Sequence, residues 1–199
     1  MRSVALWFCC VAFAQAATQK VTVLVNFEKP HSAVSVEAFR QELKELLEPA
    51  GVTVELMLRR DLGNYPEFSE LVVFEMKGSC SMDAETVPPE PLYDERGPLA
   101  KSYSSDGQIL HFGEVECDSV RRCLQRVVGR GKPDKDQAPF GTALGIVVAH
   151  ELYHMIAGEK AHTKSGLTKE SLSARDLLNG GISIPLAARA ALRRGLSSK

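Results

Sequence analysis

Hydrophobic positions change period several times along the chain, and each change marks a different element. "KVTVLVNF" alternates and is rich in valine, the pattern of a strand ending near Phe27. In "SVEAFRQELKELLEPAG", Val36, Phe39, Leu43, Leu46 and Leu47 recur at helical spacing and form one apolar stripe, so this helix is expected to pack on a sheet. Ser35 reads as its cap, Glu37 suits the first turn, and Pro49 with Gly51 ends it. "VTVELML" reads as a second strand, and strand, helix, strand in that order predicts a right-handed parallel crossover. "ELVVFEMKG" is a third strand. Residues 79–106 are irregular and carry Pro88, Pro89, Pro91 and Pro98, a loop long enough to suggest function. Inside it, "GPLAKSY" predicts a short edge strand. "GQILHFGEVE" predicts a stronger strand, "DSVRRCLQRVVG" a helix capped by Asp118, and "RGKPDKDQAP" a polar loop. "GTALGIVVAHELYHMIAG" predicts an apolar helix from about Thr142 to Ala157, stopped by Gly158. Two shorter helices are expected over residues 171–179 and 185–195, with Pro185 in the first turn of the second.

The opening "MRSVALWFCCVAFAQAATQK" has a different character. Arg2 precedes an apolar run over residues 4–14, and Ala14-Gln15-Ala16 has the small-x-small form of a cleavage site. Residues 1–16 are therefore expected to be a signal peptide, and residues 17–199 a single domain that is secreted or periplasmic. Lipoprotein processing at Cys9 or Cys10 is the weaker reading, because Phe8 and Cys9 are poor neighbours for it and the apolar run continues beyond them. No later stretch has the consecutive apolar residues of a membrane span, so no membrane association is expected after cleavage. Acidic and basic residues nearly cancel to a formal net charge of −1, which argues against nucleic acid as a partner. A monomer is expected. Export leaves Cys80, Cys117 and Cys123. Cys80 follows one predicted strand and Cys117 ends another, so these two are the natural pair if the strands are neighbours. Cys123 is the second choice of partner. A zinc site of cysteines is not expected, since no C-x-x-C occurs.

The chemistry concentrates in "VVAHELYHMIAGEKAH", residues 147–162, which holds three of the five histidines. On a helix His150 and His154 stack one turn apart, and Glu151 lies beside them. This is the H-E-x-x-H pattern in which two imidazoles hold Zn2+ and the glutamate acts as a general base on water. The plainer alternative is a pair of surface histidines on an ordinary helix. The surrounding Ile146, Val147, Val148, Ala149, Leu152, Met155 and Ile156 argue against it: a helix apolar all round is buried, and buried histidines need partners. His162, beyond the turn at Gly158, is the favoured third ligand, with Glu170 or Asp176 as acidic alternatives. Glu159 stands too close to the turn to reach easily.

The motif resembles that of the metzincin clan of zinc metalloproteases, H-E-x-x-H-x-x-G-x-x-H, with Gly158 one residue late and His162 two residues late. "GPLAKSYSSDGQILHFGEVE" is similar to the segment of matrix metalloproteinases that forms the substrate-pairing edge strand and the strand after it. The resemblance implies an α+β fold: a twisted mixed sheet with an edge strand, packed on two or three helices including the active-site helix, and a small C-terminal helical subdomain. It implies an exported zinc-dependent peptidase, an endopeptidase. Glu151 would be its base, His150, His154 and His162 its metal ligands, and Leu99, Ala100, Lys101, Ser102 and Tyr103 would lie along a peptide or protein substrate. Metzincins also carry a methionine in a turn beneath the metal. No methionine follows Met155 here, and Leu167 or Thr168 occupies that region. Tyr153 is expected to pack. Other classes stay open: a non-catalytic secreted binding protein stapled by zinc, or a zinc amidase acting on cell-wall peptide.

Overall fold

The alternating valines of Gln19–Phe27 form β1, an inner strand of a five-stranded sheet. A computed structural model describes residues 19–63, 67–83, 97–128, 133–178 and 181–198; the expected signal peptide lies outside them. β1 is followed by α1 (Ala33–Leu47), a 3-10 turn (Glu48–Ala50), β2 (Val52–Leu58), a second 3-10 turn (Arg59–Asp61) and β3 (Leu71–Lys77). Then come β4 (Ala100–Ser105), β5 (Gln108–Glu116), α2 (Cys117–Val128), α3 (Pro133–Ala157), α4 (Ala174–Leu178) and α5 (Leu186–Ser197). The sheet order is β2-β1-β3-β5-β4. β2, β1, β3 and β5 run parallel, and β4 pairs antiparallel with β5 at the edge. β1 and β2 are parallel neighbours joined through α1, as the strand–helix–strand order predicted.

In register, Val23 stands beside Val72 and Val25 beside Phe74, so the buried residues of neighbouring strands share one face. The expected stripe of α1 (Val36, Phe39, Leu43, Leu46, Leu47) is buried. Burial of side chains this size stabilises by about 1.5–3 kcal/mol each relative to exposure. α1 also meets α3 at two glycines. A Cβ on Gly141 would lie 2.1 Å from the Ser35 carbonyl oxygen, and one on Gly145 would lie 2.6 Å from Glu42 Cβ. Only glycine allows the two helices to approach this closely. α5 closes on the other end of α3: a Cβ on Gly195 would lie 1.9 Å from the Ile156 carbonyl oxygen. Leu177, Ile184, Ala188 and Leu192 join the same apolar cluster as the sheet residues.

Several local expectations are corrected. Ser32, not Ser35, caps α1, its hydroxyl oxygen accepting from Ser35 N at 3.4 Å. Ser35 is buried instead, its hydroxyl within 2.9 Å of Gln137 O and 2.8 Å of Gln137 Oε1. Asp118 lies within the first turn of α2 rather than capping it. Its carboxylate accepts from Ser79 N at 3.3 Å and from Arg121 Nη2 at 2.5 Å. α3 begins at Pro133 rather than near Thr142, absorbing part of the expected polar loop. Proline suits a helix start, where no backbone donor is needed. Buried Gln137 then ties the first turns inward by also bonding Met82 N and the Ser81 hydroxyl. α4 begins at Ala174 rather than at residue 171, and Pro185 stands at the N-cap of α5 rather than inside it. Cys80 and Cys117 form a disulfide with Cα atoms 5.0 Å apart. β3 and β5 place Lys77 beside Glu116, so the two cysteines leave adjacent strand ends together. Cys123 lies outside this bond.

Candidate metal centre

α3 runs through the core, and its last two turns carry His150, Glu151 and His154, all less than one-tenth exposed. Gly158 ends it with φ at +66°, a left-handed conformation that glycine adopts without strain. The chain turns there and brings His162 back. A ring nitrogen from each of His150, His154 and His162 lies within 4.8 Å of the others. The His162 ring centroid stands 4.8 Å from that of His154 and 5.4 Å from that of His150, at the exposed mouth of the cluster.

The other ring nitrogens decide what this cluster can hold. His150 Nδ1 lies 2.7 Å from the Leu167 carbonyl oxygen and His154 Nδ1 2.6 Å from that of Glu159. A carbonyl only accepts, so each Nδ1 carries a proton and donates it. In neutral rings each Nε2 then presents a lone pair, and the two Nε2 atoms face each other at 3.1 Å. Two lone pairs this close repel, and a cation between them would relieve that repulsion. Nitrogens bound to tetrahedral zinc at about 2.0–2.1 Å lie about 3.3 Å apart, near the spacing found. Burial, opposed by the Leu167 hydrogen bond and aided by His154 and His162, lowers the His150 pKa to about 4. The ring is therefore neutral, as a metal ligand must be, near neutral pH. The donor set fits zinc.

Glu151 is buried beside the histidines. Burial raises its carboxyl above the ordinary carboxylate range, while hydrogen bonds with the Ser102 hydroxyl and backbone, and the nearby His154 and His162, oppose the shift. Ser102 belongs to β4, the edge strand. The sheet order leaves the outer side of β4 without a strand partner among the described residues. Ala100, Lys101, Ser102 and Tyr103 of the expected substrate platform all lie in this strand, and Leu99 immediately precedes it, its carbonyl accepting from Glu116 N at 2.9 Å. Lys101 pairs with Glu114 at 2.8 Å and the Tyr103 ring lies 5.4 Å from that of Phe112. Those two therefore lean on β5 while Ser102 reaches α3.

The acidic alternatives for the third ligand lie outside the triad. Glu170 is exposed. Asp176 meets Lys169 Nζ at 2.5 Å and Ser173 N at 2.8 Å. Burial alone would raise its carboxyl, but hydrogen bonds from Lys169 and Ser173 outweigh burial and hold it at about 2. Glu159 contributes its carbonyl to His154, while its carboxylate accepts from the Tyr153 hydroxyl at 2.7 Å. Burial first, and then that carboxylate, push the Tyr153 phenol up to about 12. Leu167, in the region where a metzincin methionine would stand, is fully buried beneath His150. Its own N–H donates to the Ser183 carbonyl at 2.9 Å, and Thr163 N donates to the Thr168 carbonyl at 2.8 Å, which closes the turn. Sequence reasoning did not find the Leu167 and Glu159 carbonyls or the Ser102 contact. Every residue carries a main-chain acceptor, so residue type gives no signal for the first two. A hydroxyl at the centre of the edge strand was the available signal for the third.

No protein-family model and no curated protein sequence matches this chain. Among solved structures, an archaemetzincin from Methanopyrus kandleri matches 93% of this chain and 99% of its own, with a TM-score of 0.50 and 15% sequence identity. At that identity the likeness concerns the fold: a five-stranded, mostly parallel sheet with helices, similar to that of an archaemetzincin.

Proposed function

We propose that this protein is an exported zinc-dependent peptidase, an endopeptidase acting on peptide or protein substrates in a secreted or periplasmic setting, with a mature chain beginning at residue 17. The observation that carries the reading is the triad: three ring nitrogens within 4.8 Å, two of them aimed by carbonyls, with Glu151 alongside. The fold likeness to an archaemetzincin supports it. His150, His154 and His162 would hold the zinc. The chemistry zinc supplies in such a site is Lewis acidity, toward a carbonyl oxygen and toward water. Glu151 is the general base: its carboxylate takes a proton from the attacking water and delivers it to the amine nitrogen as the C–N bond breaks. Ser102 holds that carboxylate in place. An extended substrate pairs with main-chain groups on the outer side of β4, near Leu99, Ala100, Lys101, Ser102 and Tyr103.

The test is metal analysis of purified protein together with cleavage of a broad peptide library, with and without chelator. About one zinc per chain and chelator-sensitive cleavage are expected. Zinc without cleavage of any peptide would favour a zinc-stapled binding protein, and absence of zinc would remove the reading altogether.

A further inference from the structure

We propose that Tyr153 and Glu159 are positioning residues for the metal centre, a side-chain latch that fixes the carbonyl by which His154 is aimed. The inference rests on the reading of the histidine triad as a metal site.

Glu159 has two contacts on opposite sides of one residue. Its carbonyl oxygen lies 2.6 Å from His154 Nδ1, and its carboxylate Oε2 lies 2.7 Å from the Tyr153 hydroxyl. Tyr153 is 3% exposed, so its ring is fixed by packing in α3 and only its hydroxyl is available to hold something else. The held residue follows a flexible joint: Gly158 is left-handed, and a Cβ there would meet nothing within 4 Å. Without a side-chain anchor the peptide after Gly158 is free to rotate, and the carbonyl would move away from His154 Nδ1. The phenol–carboxylate bond removes that freedom. The Tyr153 ring also lies edge-on to His154, with centroids 5.3 Å apart, so one residue constrains the ligand ring both directly and through Glu159. Arg194 approaches Glu159 at 3.7 Å from a mostly exposed position, where an ion pair contributes little.

Groups that aim a ligand imidazole typically change metal affinity by about 10–100-fold when removed; a latch one step further out belongs at the low end, about tenfold. Zinc affinity of the full chain, measured by competition with a chromogenic chelator, is the primary readout. The absorption spectrum of the Co2+-substituted protein reports ligand geometry, and the thermal midpoint of the metal-free protein reports folding. Tyr153→Phe and Glu159→Ala are each expected to weaken zinc binding by about tenfold and to shift the cobalt bands, and the double variant to be no weaker than Glu159→Ala alone. Glu159→Gln keeps an oxygen that accepts from the phenol and should stay within about twofold of the native protein, as should Arg194→Ala. Native affinity in Tyr153→Phe, multiplied losses in the double variant, or a Glu159→Gln loss equal to that of Glu159→Ala would overturn the latch. His154→Ala separates the two levels. If it loses zinc while Tyr153→Phe does not, only the latch fails; if it retains native affinity, the metal-centre reading fails with it.

Discussion

Replacing Gly141 with alanine reverses an ordinary rule. In a helix interior this substitution stabilises by about 1 kcal/mol, because alanine loses less backbone freedom on folding. Here the added methyl would sit 2.1 Å from the Ser35 carbonyl oxygen and 2.8 Å from Ala38 Cβ. Carbon and oxygen atoms that are not bonded prefer about 3.5 Å, so the α1 and α3 backbones would have to separate by roughly 1 Å. The obstructing atom is main chain, and no rotamer change relieves the contact. Overpacking of this kind costs typically about 1–3 kcal/mol, and separating two helices that share a core lies at the upper end. After subtracting the propensity gain, Gly141→Ala should lose about 2 kcal/mol in urea unfolding monitored by circular dichroism, with an unchanged m-value. For a domain of this size that corresponds to a fall in Tm of about 4–8 °C. A variant as stable as the native protein, or more stable, would refute the close crossing of α1 and α3.

Four further outcomes are expected. His162→Ala should weaken zinc affinity by orders of magnitude while Glu170→Ala and Asp176→Ala change it little; the reverse pattern in a zinc titration would install an acidic third ligand. Glu151→Gln should retain zinc by metal analysis and lose hydrolysis of any substrate found, since it removes the proposed base and keeps the proposed ligands; full activity would end its assignment as base. Removing the Cys80–Cys117 disulfide, which closes a sequence separation of 37 residues, should cost about 2–4 kcal/mol in denaturant unfolding, and an unchanged midpoint on reduction would contradict it. Asp176, held at about 2 against an ordinary 3.8, contributes stability that is fully present above the ordinary value and is lost as pH falls toward 2. Asp176→Asn should therefore cost about 1 kcal/mol near neutral pH, allowing for partial exposure, and most of that difference should be gone at pH 2, where the carboxyl is half protonated in the fold; an undiminished difference at pH 2 would show that another contact is responsible.

The sequence disclosed the sheet most clearly. Valine alternation in β1 and the five-residue stripe of α1 are dictated by which positions meet the core, and those residues are buried. The start of α3 was hidden because Lys135, Asp136 and Pro139 look like loop residues; the buried amide of Gln137, which makes that stretch helical, finds its partners at Ser35, Ser81 and Met82, far away in sequence. The cap of α1 was misplaced for a similar reason. Ser32 and Ser35 are both good caps by type, and the buried Gln137 contact of Ser35 separates them only in three dimensions. In the candidate site, the helical pair and the glycine turn were legible from spacing. The groups that aim the rings were not: two are main-chain carbonyls, and Ser102 arrives from a strand nearly fifty positions earlier than Glu151.

That the rings of His150 and His154 are aimed by main-chain oxygens has a consequence for how such a chain tolerates change. A side-chain acceptor is lost by a single substitution. A carbonyl belongs to the peptide unit and remains through any replacement that preserves the local backbone path. At position 167 the requirement is thus a buried side chain that seats the turn, and leucine satisfies it where another chain of this architecture could use a different apolar residue. Mutational drift through this neighbourhood is therefore limited by shape more than by letters. Chains sharing the architecture can lose nearly all recognisable text, in keeping with 15% identity across 93% of the chain.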